Sequence, residues 1–495
     1  MKFSQELNLL LKARYPIIYI SSFEEERVEY TITKIVQDSQ THSIYNWNFI
    51  DGYKNNLSNP KFAAKNPLQA LELIETLNVN SPTIFILKDF NKFFFDISIS
   101  RKIRNLLKIL KTQSKNIIII SSEIEIPKEL NEIITVLEFS LPNEKEIRSE
   151  LIRLLNSINK PIEEKFLEIL IKTSQGLSIE KIRRALSKSI VKMGSLNSET
   201  IKHILDEKKQ IISQTQILEF YESKIELNDI GGLENLKNWL KNRKESFSEK
   251  AKIYGLPSPR GLLLIGIQGT GKSLTAKAIA NEWQIPLLKL DIGKLFGGII
   301  GESENRIRQM IKIAEALAPC VLWIDEIDKG FQEQNKNLDG GTNNRVLATF
   351  ISWLSEKKSN VFIVATANNF YNLPLEIVRK GRFDEIFFIG LPTFLERKKI
   401  FEIILLRLRK SNQILFDFNL LSEKSKDFSG AEIEQAIIEG MFLAFNEKRE
   451  FNNIDILNGI EYIIPLSKID TEKIRENQNL GLSGRIRLAS EIEKK

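Results

Sequence analysis

Apolar residues in the first part of the chain form short continuous runs, separated by longer stretches in which apolar positions recur every three or four residues. The short runs cover residues 16–20, 83–87 and 116–120, and residues 103–110 show the longer period. Short apolar runs are typical of buried strands, whereas the longer period is typical of helices that bury one face. Their alternation predicts an α/β domain with a parallel sheet over residues 1–140.

The pattern changes to helical spacing alone after residue 140. Apolar positions recur at the helical period in residues 144–155, 161–173, 178–193 and 197–206. We therefore predict that residues 141–215 form a small α-helical unit.

The second half of the chain repeats this succession. Residues 17–20 correspond to 262–265, 85–89 to 322–326, 117–120 to 361–364, 141–147 to 391–397, and 175–180 to 429–434. The matches keep their order, with offsets between 237 and 254 positions, which indicates a second α/β core over 216–390 and a second helical lid over 391–465. Residues 466–495 are expected to form a loosely held C-terminal tail. The alternative is that any two α/β domains share this succession of elements.

Composition places the chain among globular proteins and narrows its classes of partner. Of 495 residues, 42% are hydrophobic and 27% are charged, and no apolar run approaches the length of a membrane-spanning helix. The formal charge of +7 is thinly spread, so it does not favour nucleic acid as a partner. The single cysteine, Cys320, excludes an intramolecular disulfide and fits a reducing compartment. Isoleucine, asparagine and lysine are plentiful, which indicates an AT-rich genome such as that of an organelle.

A glycine-rich segment lies between the predicted strand 262–265 and a helical stretch. It reads G-I-Q-G-T-G-K-S over residues 266–273, the pattern G-x-x-x-x-G-K-[ST]. Glycines let the loop wrap closely, so backbone N–H groups and the helix N-terminus can face the phosphates of ATP. Lys272 is expected to contact the β- and γ-phosphates, and the Ser273 hydroxyl to bind Mg²⁺. The predicted ATP-binding residues of this segment are Gly266, Ile267, Gln268, Gly269, Thr270, Gly271, Lys272, Ser273 and Leu274.

Two later strands end in polar side chains suited to phosphate chemistry. The run 320–324 is followed by Asp325 and Glu326, and the run 361–366 is followed by Ala367 and Asn368. We predict that Asp325 holds Mg²⁺ and that Glu326 orients or deprotonates the attacking water. Asn368 is expected beside them, where its amide can hydrogen-bond both water and γ-phosphate. The predicted fold class is therefore α/β, with tandem P-loop-type three-layer domains that are each followed by a helical lid.

The first copy lacks these groups. After the strand that ends at Ile20 the chain reads S-S-F-E-E-E-R, with no glycine, no lysine and three carboxylates at the position of the phosphate loop. Like charges would repel a nucleotide there. Lys88 and Asp89 stand where Mg²⁺ chemistry needs two carboxylates. The first copy is thus predicted to be degenerate, and residues 1–215 are predicted to bind no ATP when expressed alone.

Further motifs resemble those of the AAA family of ATPases. They are D-I-G-G-L at 229–233, G-E-S-E at 301–304, A-T-A-N at 365–368, R-K-G-R-F-D at 379–384 and F-S-G-A-E at 428–432. The resemblance covers about residues 220–460, and the paired architecture resembles more closely the AAA ATPases encoded in algal plastid and cyanobacterial genomes. It implies an Mg²⁺-dependent ATPase that forms a homo-oligomer, expected to be a hexameric ring. It also implies a location in the plastid stroma, or in the cytoplasm if the protein is bacterial.

The resemblance assigns roles to residues outside the glycine-rich loop. Asp229, Ile230 and Gly231 would lie along the adenine and contact it through the backbone. Gly430 and Ala431 of the second helical lid would close the other side of the nucleotide.

Two arginines match residues that act between subunits in this family. Arg379 and Arg382 would reach ATP bound in the neighbouring subunit. A guanidinium placed at the γ-phosphate offsets the charge that develops on the transferred group.

One position departs from the family pattern. The family usually has an aromatic residue two positions before Gly301, where it grips a polypeptide in the pore of the ring, and this chain has Ile299, with Phe296 the nearest aromatic. Partial remodelling of a protein partner therefore fits better than processive unfolding. The alternatives to a remodelling ATPase are a slow nucleotide-dependent switch or scaffold, and a DNA-acting ATPase.

Overall fold

The computed structural model describes residues 3–39, 43–54, 62–77, 82–158, 163–213, 217–247, 249–296, 302–330, 340–409 and 416–491. The chain forms two compact units, residues 1–200 and 201–495, each built on a mostly parallel sheet. Among the described helices, none has the length and apolar character needed to cross a membrane.

Among the residues that the structure describes, six strands form the sheet of the first unit: β1 (Ile17–Ser21), β2 (Ser43–Asn48), β3 (Gly52–Tyr53), β4 (Thr83–Lys88), β5 (Lys115–Ser121) and β6 (Ile134–Glu138). Their spatial order is β3-β2-β4-β5-β1-β6, and only the pair β2 and β3 is antiparallel. Alternate side chains of β1 enter different apolar clusters, with Ile17 and Tyr19 on one face and Ile18 and Ile20 on the other. Burial on both faces explains why these strands read as continuous apolar runs.

Helices of the first unit cover this sheet and then form a helical segment. Those within the α/β part are α1 (Phe3–Lys12), α2 (Glu25–Ser39), α3 (Pro67–Thr76) and α4 (Ile97–Thr112). The helical segment contains α5 (Glu144–Ile158), α6 (Glu164–Ser174) and α7 (Ile179–Met193). Helix α8 (Ser198–Ser213) begins at the end of the first unit, and from residue 201 it belongs to the second unit, where Ile212 joins an apolar cluster. Helix α8 continues well beyond the predicted end at residue 206, because Lys208 and Ile212 on its later turns are buried.

The sheet of the second unit contains seven strands in the described part of the chain: β7 (Leu218–Tyr221), β8 (Gly261–Gly266), β9 (Leu287–Leu290), β10 (Cys320–Ile324), β11 (Val361–Ala367), β12 (Glu385–Ile389) and β13 (Arg487–Leu488). Their order is β13-β12-β8-β11-β10-β9-β7, and only the pair β7 and β9 is antiparallel. Apolar clusters lie on both faces of this sheet, with Leu263 and Ile265 on one face and Leu262 and Leu264 on the other.

The helices of the second unit follow the same plan. Around the sheet lie α9 (Glu234–Lys241), α10 (Glu249–Tyr254), α11 (Lys272–Trp283), α12 (Ile292–Phe296), α13 (Glu302–Ala316), α14 (Ile327–Gly330), α15 (Gly340–Glu356) and α16 (Leu375–Val378). The lid contains α17 (Phe394–Leu408), α18 (Phe418–Lys424), α19 (Gly430–Asn446) and α20 (Asn453–Tyr462). Two helices come after the lid, α21 (Leu466–Ile469) and α22 (Thr471–Leu482).

Strand order confirms the predicted repeat. Strands β6-β1-β5-β4-β2 of the first unit have the same order along the chain and in space as β12-β8-β11-β10-β9 of the second. A residue with left-handed backbone follows the corresponding strands β4 and β10, with φ +51° at Asp89, directly after β4, and +52° at Glu326, two residues after β10. The two units are therefore tandem domains of one type.

The last of the five sequence matches was wrong by three residues. It paired residues 175–180 with 429–434, an offset of 254. In the structure Ser178 caps α7 and Ser429 caps α19, each hydroxyl accepting a backbone N–H three residues on, so the offset is 251 (429 minus 178). The cap fixes the register because it satisfies a free N–H group of the first helical turn.

The C-terminal segment is not the loosely held tail that the sequence predicted. Helix α22 buries Leu480, and β13 adds a strand to β12 at the edge of the sheet. Ala489 is fully buried, and its backbone N–H donates to the carbonyl of Phe388. The segment closes a sheet edge and an apolar face that would otherwise be exposed to water.

Candidate functional site

The glycine-rich loop joins the end of β8 to the start of α11. Gly271 occupies the N-cap position of α11 with φ +94°, a left-handed conformation in which a side chain would be strained. Gly269 has φ +79°, and a Cβ there would stand 2.9 Å from the Ser429 hydroxyl of the lid. The first N–H groups of α11 have no partner within the helix and face this loop. Local sequence therefore creates an anion-binding concavity at the helix N-terminus.

Lys272 lies under this loop with only 7% of its surface exposed. Its Nζ donates to the carbonyl oxygens of Gly266 at 2.8 Å and Ile267 at 2.7 Å. Burial lowers the pKa of Lys272 to about 8, and the carboxylates of Asp328, Asp325 and Glu326 oppose that shift. The ammonium group is thus held near three anionic groups in a poorly solvated place.

Asp325 is the centre of a network of hydroxyl groups. Ser273, on the first turn of α11, donates to Asp325 Oδ1 at 3.0 Å. The Thr366 hydroxyl of β11 donates to the same oxygen at 2.6 Å and accepts the backbone N–H of Glu326 at 3.0 Å. Strand order brings these groups together, because β11 lies between β8 and β10. Sequence reasoning gave Thr366 no role, although its hydroxyl at the end of an apolar strand was a visible signal.

Glu326 has a partner on each carboxylate oxygen. Asn368 Nδ2 donates to Oε1 at 3.0 Å, and Lys329 Nζ lies 2.6 Å from Oε2. The Lys329 side chain is 64% exposed, so this ion pair is open to solvent screening. The structure therefore brings Glu326 together with Asn368, as expected, and adds a lysine that sequence reasoning missed.

Asp328 is a second group that sequence reasoning missed. Its side chain is 3% exposed, and its Oδ2 accepts the backbone N–H groups of Asn368 at 3.2 Å and Asn369 at 3.1 Å. Its Oδ1 has no hydrogen-bond partner among the described residues. Burial raises the pKa of Asp328, and the two amide donors act in the opposite direction. The signal in the sequence was a third carboxylate three positions after Asp325.

The lid meets the glycine-rich loop at the start of α19. The Ala431 N–H donates to the Gly269 carbonyl at 3.1 Å, next to Gly430. The Ser429 hydroxyl and the Glu432 carboxylate form a reciprocal capping box that fixes this turn. The predicted lid residues therefore lie against the predicted phosphate loop.

The predicted adenine segment lies against another lid helix. Ile230 is buried, and a Cβ at Gly231 would stand 2.5 Å from the Ile400 side chain of α17. The exposed Asp229 accepts the backbone N–H of Glu226 at 2.7 Å and so shapes the turn. The structure thus places residues 229–231 between the α/β core and the lid of the second unit.

The two arginines lie away from the glycine-rich loop of their own chain. Arg379 is exposed, and Arg382 donates to the Ile351 carbonyl at 3.3 Å. Both precede β12, whose first residue lies opposite Leu262 and whose last lies opposite Gly266. The length of β8, about 17 Å at about 3.3 Å per residue, separates them from the loop. The structure does not bring these arginines to the other predicted site residues, and Ile299 lies outside the described residues.

The parallel strands have the order β12-β8-β11-β10-β9, a glycine-rich loop follows β8, and carboxylates follow β10. This arrangement defines the α/β class of P-loop domains. Residues 262–391 match the model described as ATPase family associated with various cellular activities (AAA). Residues 3–139 match the N-terminal domain of SpoVK-like AAA ATPases, and residues 145–215 match the second domain of that group.

Several known proteins resemble this chain, and two of those described below match it over nearly its whole length. It is 59% identical to the AAA domain-containing protein ycf46 of Trieres chinensis, with 99% of each chain covered. It is 55% identical to the protein of the same name from Guillardia theta, with 99% of this chain and 97% of the relative covered. Over 60% of this chain and 76% of the relative, it is 29% identical to the proteasome-activating nucleotidase of Sulfurisphaera tokodaii. The chain belongs to the AAA ATPase family, and the ycf46 relatives are encoded in algal plastid genomes.

Proposed function

We propose that this protein hydrolyses ATP with Mg²⁺ and couples the reaction to remodelling of a protein partner. One observation supports the proposal above all: Ser273, on the first turn of α11, meets Asp325 at the edge of the sheet where the parallel strands end, beside Glu326 and the buried Lys272. In open α/β sheets, ligands bind in the crevice at this edge.

The residues present fit a magnesium-bound triphosphate. Apart from Gly271 and its chain neighbours, none of the described residues has a heavy atom within 4 Å of the position that a Cβ would take on Gly271, so the concavity of the loop has open space. Lys272 would exchange the two carbonyl oxygens of its own loop for phosphate oxygens, and Ser273 and Asp325 would hold the metal. Mg²⁺, when bound there, neutralises charge on the phosphates and orients them.

Glu326 and Asn368 would act on the attacking water. The carboxylate of Glu326 can accept a proton or orient a water molecule, and the Asn368 amide holds one of its oxygens at 3.0 Å. The left-handed backbone at Glu326, with φ +52°, turns the chain immediately after β10.

Arginines from a neighbouring subunit would complete the site. Arg379 and Arg382 lie at the opposite edge of the sheet from the loop of their own chain, so they serve ATP only in another molecule. Head-to-tail contacts of this kind close into rings, and we propose a homo-oligomeric, hexameric ring. The 29% identity to a proteasome-activating nucleotidase supports action on a protein partner. The algal plastid relatives support a location in the plastid stroma.

A slow nucleotide-dependent switch is the second candidate. The observation that favours it is the ion pair between Lys329 and Glu326, which engages the proposed base. In such a protein hydrolysis would be slow, and the ATP-bound form would bind its partner.

Steady-state turnover separates these functions. We expect magnesium-dependent phosphate release that Glu326→Gln abolishes, and that a folding-deficient client protein accelerates. Lys272→Ala is the matched control, because it removes nucleotide binding and leaves the carboxylates in place. Turnover that no client changes, together with ATP-dependent partner binding, would favour the switch. No magnesium-dependent turnover and no nucleotide binding would contradict both.

A further inference from the structure

Asp328 connects two strands of the proposed active site. It lies on α14, directly after β10, and its Oδ2 accepts two successive N–H groups at the end of β11, those of Asn368 and Asn369. One acceptor shared by two amides fixes the peptide planes on both sides of the Asn368 Cα. The Asn368 side chain then donates to Glu326 at 3.0 Å.

The buried position of Asp328 is costly for a role in folding alone. Its Oδ1 is buried with no partner among the described residues, and an unsatisfied buried polar atom destabilises the folded protein. The N–H groups of a strand end can be satisfied by water or by a neutral side chain at lower cost. Buried ionisable groups with perturbed pKa values cluster at functional sites, and Asp328 is a buried carboxylate beside the proposed catalytic Glu326.

We propose that Asp328 is a positioning residue for ATP hydrolysis, which acts through Asn368. By fixing the backbone of Asn368, it fixes the amide that orients the Glu326 carboxylate. The inference rests on the proposed ATPase function, and it assigns Asp328 no contact with nucleotide.

Substitutions of Asp328 in the wild-type protein and in the Asn368→Ala variant test this role at pH 7. Asp328→Ala should lower kcat by about 10- to 100-fold and change the Kd for a non-hydrolysable ATP analogue by less than about threefold. Asp328→Asn should recover most of kcat, because its amide oxygen still accepts both N–H groups. In an Asn368→Ala background, Asp328→Ala should cause no further loss of kcat, because both changes remove the same interaction.

Three results would overturn the inference: an equal kcat for Asp328→Ala and wild type, losses that add in the double variant, or a loss in Asp328→Asn as large as in Asp328→Ala. If Asp328→Ala does not fold, Asp328→Ser replaces it in both backgrounds. Absence of turnover in the wild type would instead contradict the proposed function itself, so the two failures are distinguishable.

A separate observation concerns the first unit, where the charges of the corresponding site are exchanged. In the second unit the helix after β8 begins with Lys272, and β10 is followed by Asp325. In the first unit α2 begins with Glu25, and β4 ends with Lys88. Lys88 forms ion pairs with Glu25 and with Glu29 on the next turn of α2. An internal ion pair therefore joins the two positions.

Glu24 extends this arrangement to the helical segment of the first unit. Its side chain is 6% exposed, and Oε1 accepts the N–H of Ile179 at 2.7 Å, the first residue of α7. Its other oxygen pairs with Arg27, which also donates to the Ser140 carbonyl at 3.0 Å and to Glu146 on α5 at 3.1 Å. A carboxylate thus occupies the N-terminus of the helix that corresponds to α19, where negative charge is stabilised.

We infer that the side chains of the first unit substitute for a nucleotide and hold its α/β part against its helical segment permanently. Glu24 supplies the negative charge, and Arg27 and Lys88 balance the carboxylates. The first unit then does not respond to ATP.

Hydrogen exchange on the full-length chain tests this inference in the Lys272→Ala background, which removes nucleotide binding by the second unit. ATP should leave exchange of residues 17–30 and 178–186 unchanged. Glu24→Ala should speed exchange of the 178–186 amides about tenfold or more, and Glu24→Gln less. Glu26→Ala, at an exposed neighbour whose charge acts on Arg183 of α7, should have a much smaller effect than Glu24→Ala. Protection of residues 17–30 by ATP, or unchanged exchange in Glu24→Ala, would overturn it. If Glu24→Ala does not fold, Glu24→Gln decides alone.

Discussion

Ser273 and Asp325 are 52 positions apart in the chain, and a hydrogen bond of 3.0 Å joins their side chains. The bond connects the first turn of α11 to the end of β10, across the strand β11 that separates β8 from β10. A hydroxyl and a carboxylate held at this distance form a natural pair of positions for Mg²⁺.

The first prediction concerns this pair. Ser273→Ala should raise the Mg²⁺ concentration for half-maximal turnover by about tenfold or more, because it removes one proposed metal ligand. Ser273→Thr keeps a hydroxyl and is the matched control, with an expected change of less than about threefold. A magnesium titration of phosphate release measures both, and equal curves for the alanine variant and wild type would contradict the assignment.

The second prediction follows from the pKa of Lys272. Burial lowers it to about 8 in the free protein, and bound phosphates should raise it again. Binding then takes up a proton above pH 8, so affinity falls as pH rises through 8, by at most about tenfold per pH unit. Titration calorimetry at pH 8.5 in buffers of different ionisation enthalpy measures this uptake. Lys272→Arg, which stays charged, should show none. Absence of uptake in the wild type would refute the assigned contact.

The third prediction tests action between subunits. Arg379→Ala or Arg382→Ala should lower turnover by about 10³-fold or more if the guanidinium acts as in other phosphoryl-transfer enzymes. Mixing either variant with Glu326→Gln, itself inactive, should restore part of the turnover, because Glu326→Gln subunits supply intact arginines. Arg308→Ala, at an exposed position on α13, is the control and should change little. A mixture as inactive as its components would count against sites shared between subunits.

The fourth prediction separates a remodelling enzyme from a switch. Lys329→Ala removes the ion pair to Glu326, and an exposed pair is worth about 0.2–1 kcal/mol, so basal turnover should rise by no more than about fivefold. Lys329→Arg keeps the charge and should match wild type. A rise of a hundredfold in Lys329→Ala would mean that the pair restrains hydrolysis, as a switch requires.

The fifth prediction concerns the C-terminal segment. A Cβ on Gly481 would stand 2.5 Å from a ring atom of Phe388 on β12. Alanine favours helix by up to about 1 kcal/mol over glycine, but overpacking costs about 1–3 kcal/mol, so Gly481→Ala should lower the free energy of unfolding. Glu476→Ala, exposed on the same helix, is the control and should be neutral within about 0.5 kcal/mol. Equal stability of both variants in denaturant titrations would show that the helix does not pack as described.

The sequence was sufficient to predict the groups that lie at strand ends. Asp325, Glu326 and Asn368 follow apolar runs, and parallel strands place such residues at one edge of a sheet. Thr366 and Asp328 escaped prediction because their partners lie on another strand, 41 and 40 positions away. No local pattern marks a residue whose role depends on the register of two strands.

The packed structure of the C-terminal segment was not predicted, for a different reason. Strand β13 has two residues, too few to show any period, and it is stable because β12 offers a free edge beside it. The exchanged charges of the first unit were visible as residues, since Lys88 and the three glutamates were noted. Their ion pairs could not be inferred before α2 and β4 were placed side by side.

The most direct test of the account is phosphate release from radiolabelled ATP by the assembled protein in the presence of Mg²⁺. The account predicts that the wild type releases labelled phosphate, that Glu326→Gln retains labelled nucleotide without releasing phosphate, and that Lys272→Ala does neither. If the wild type and Glu326→Gln neither retain label nor release it, the account is wrong.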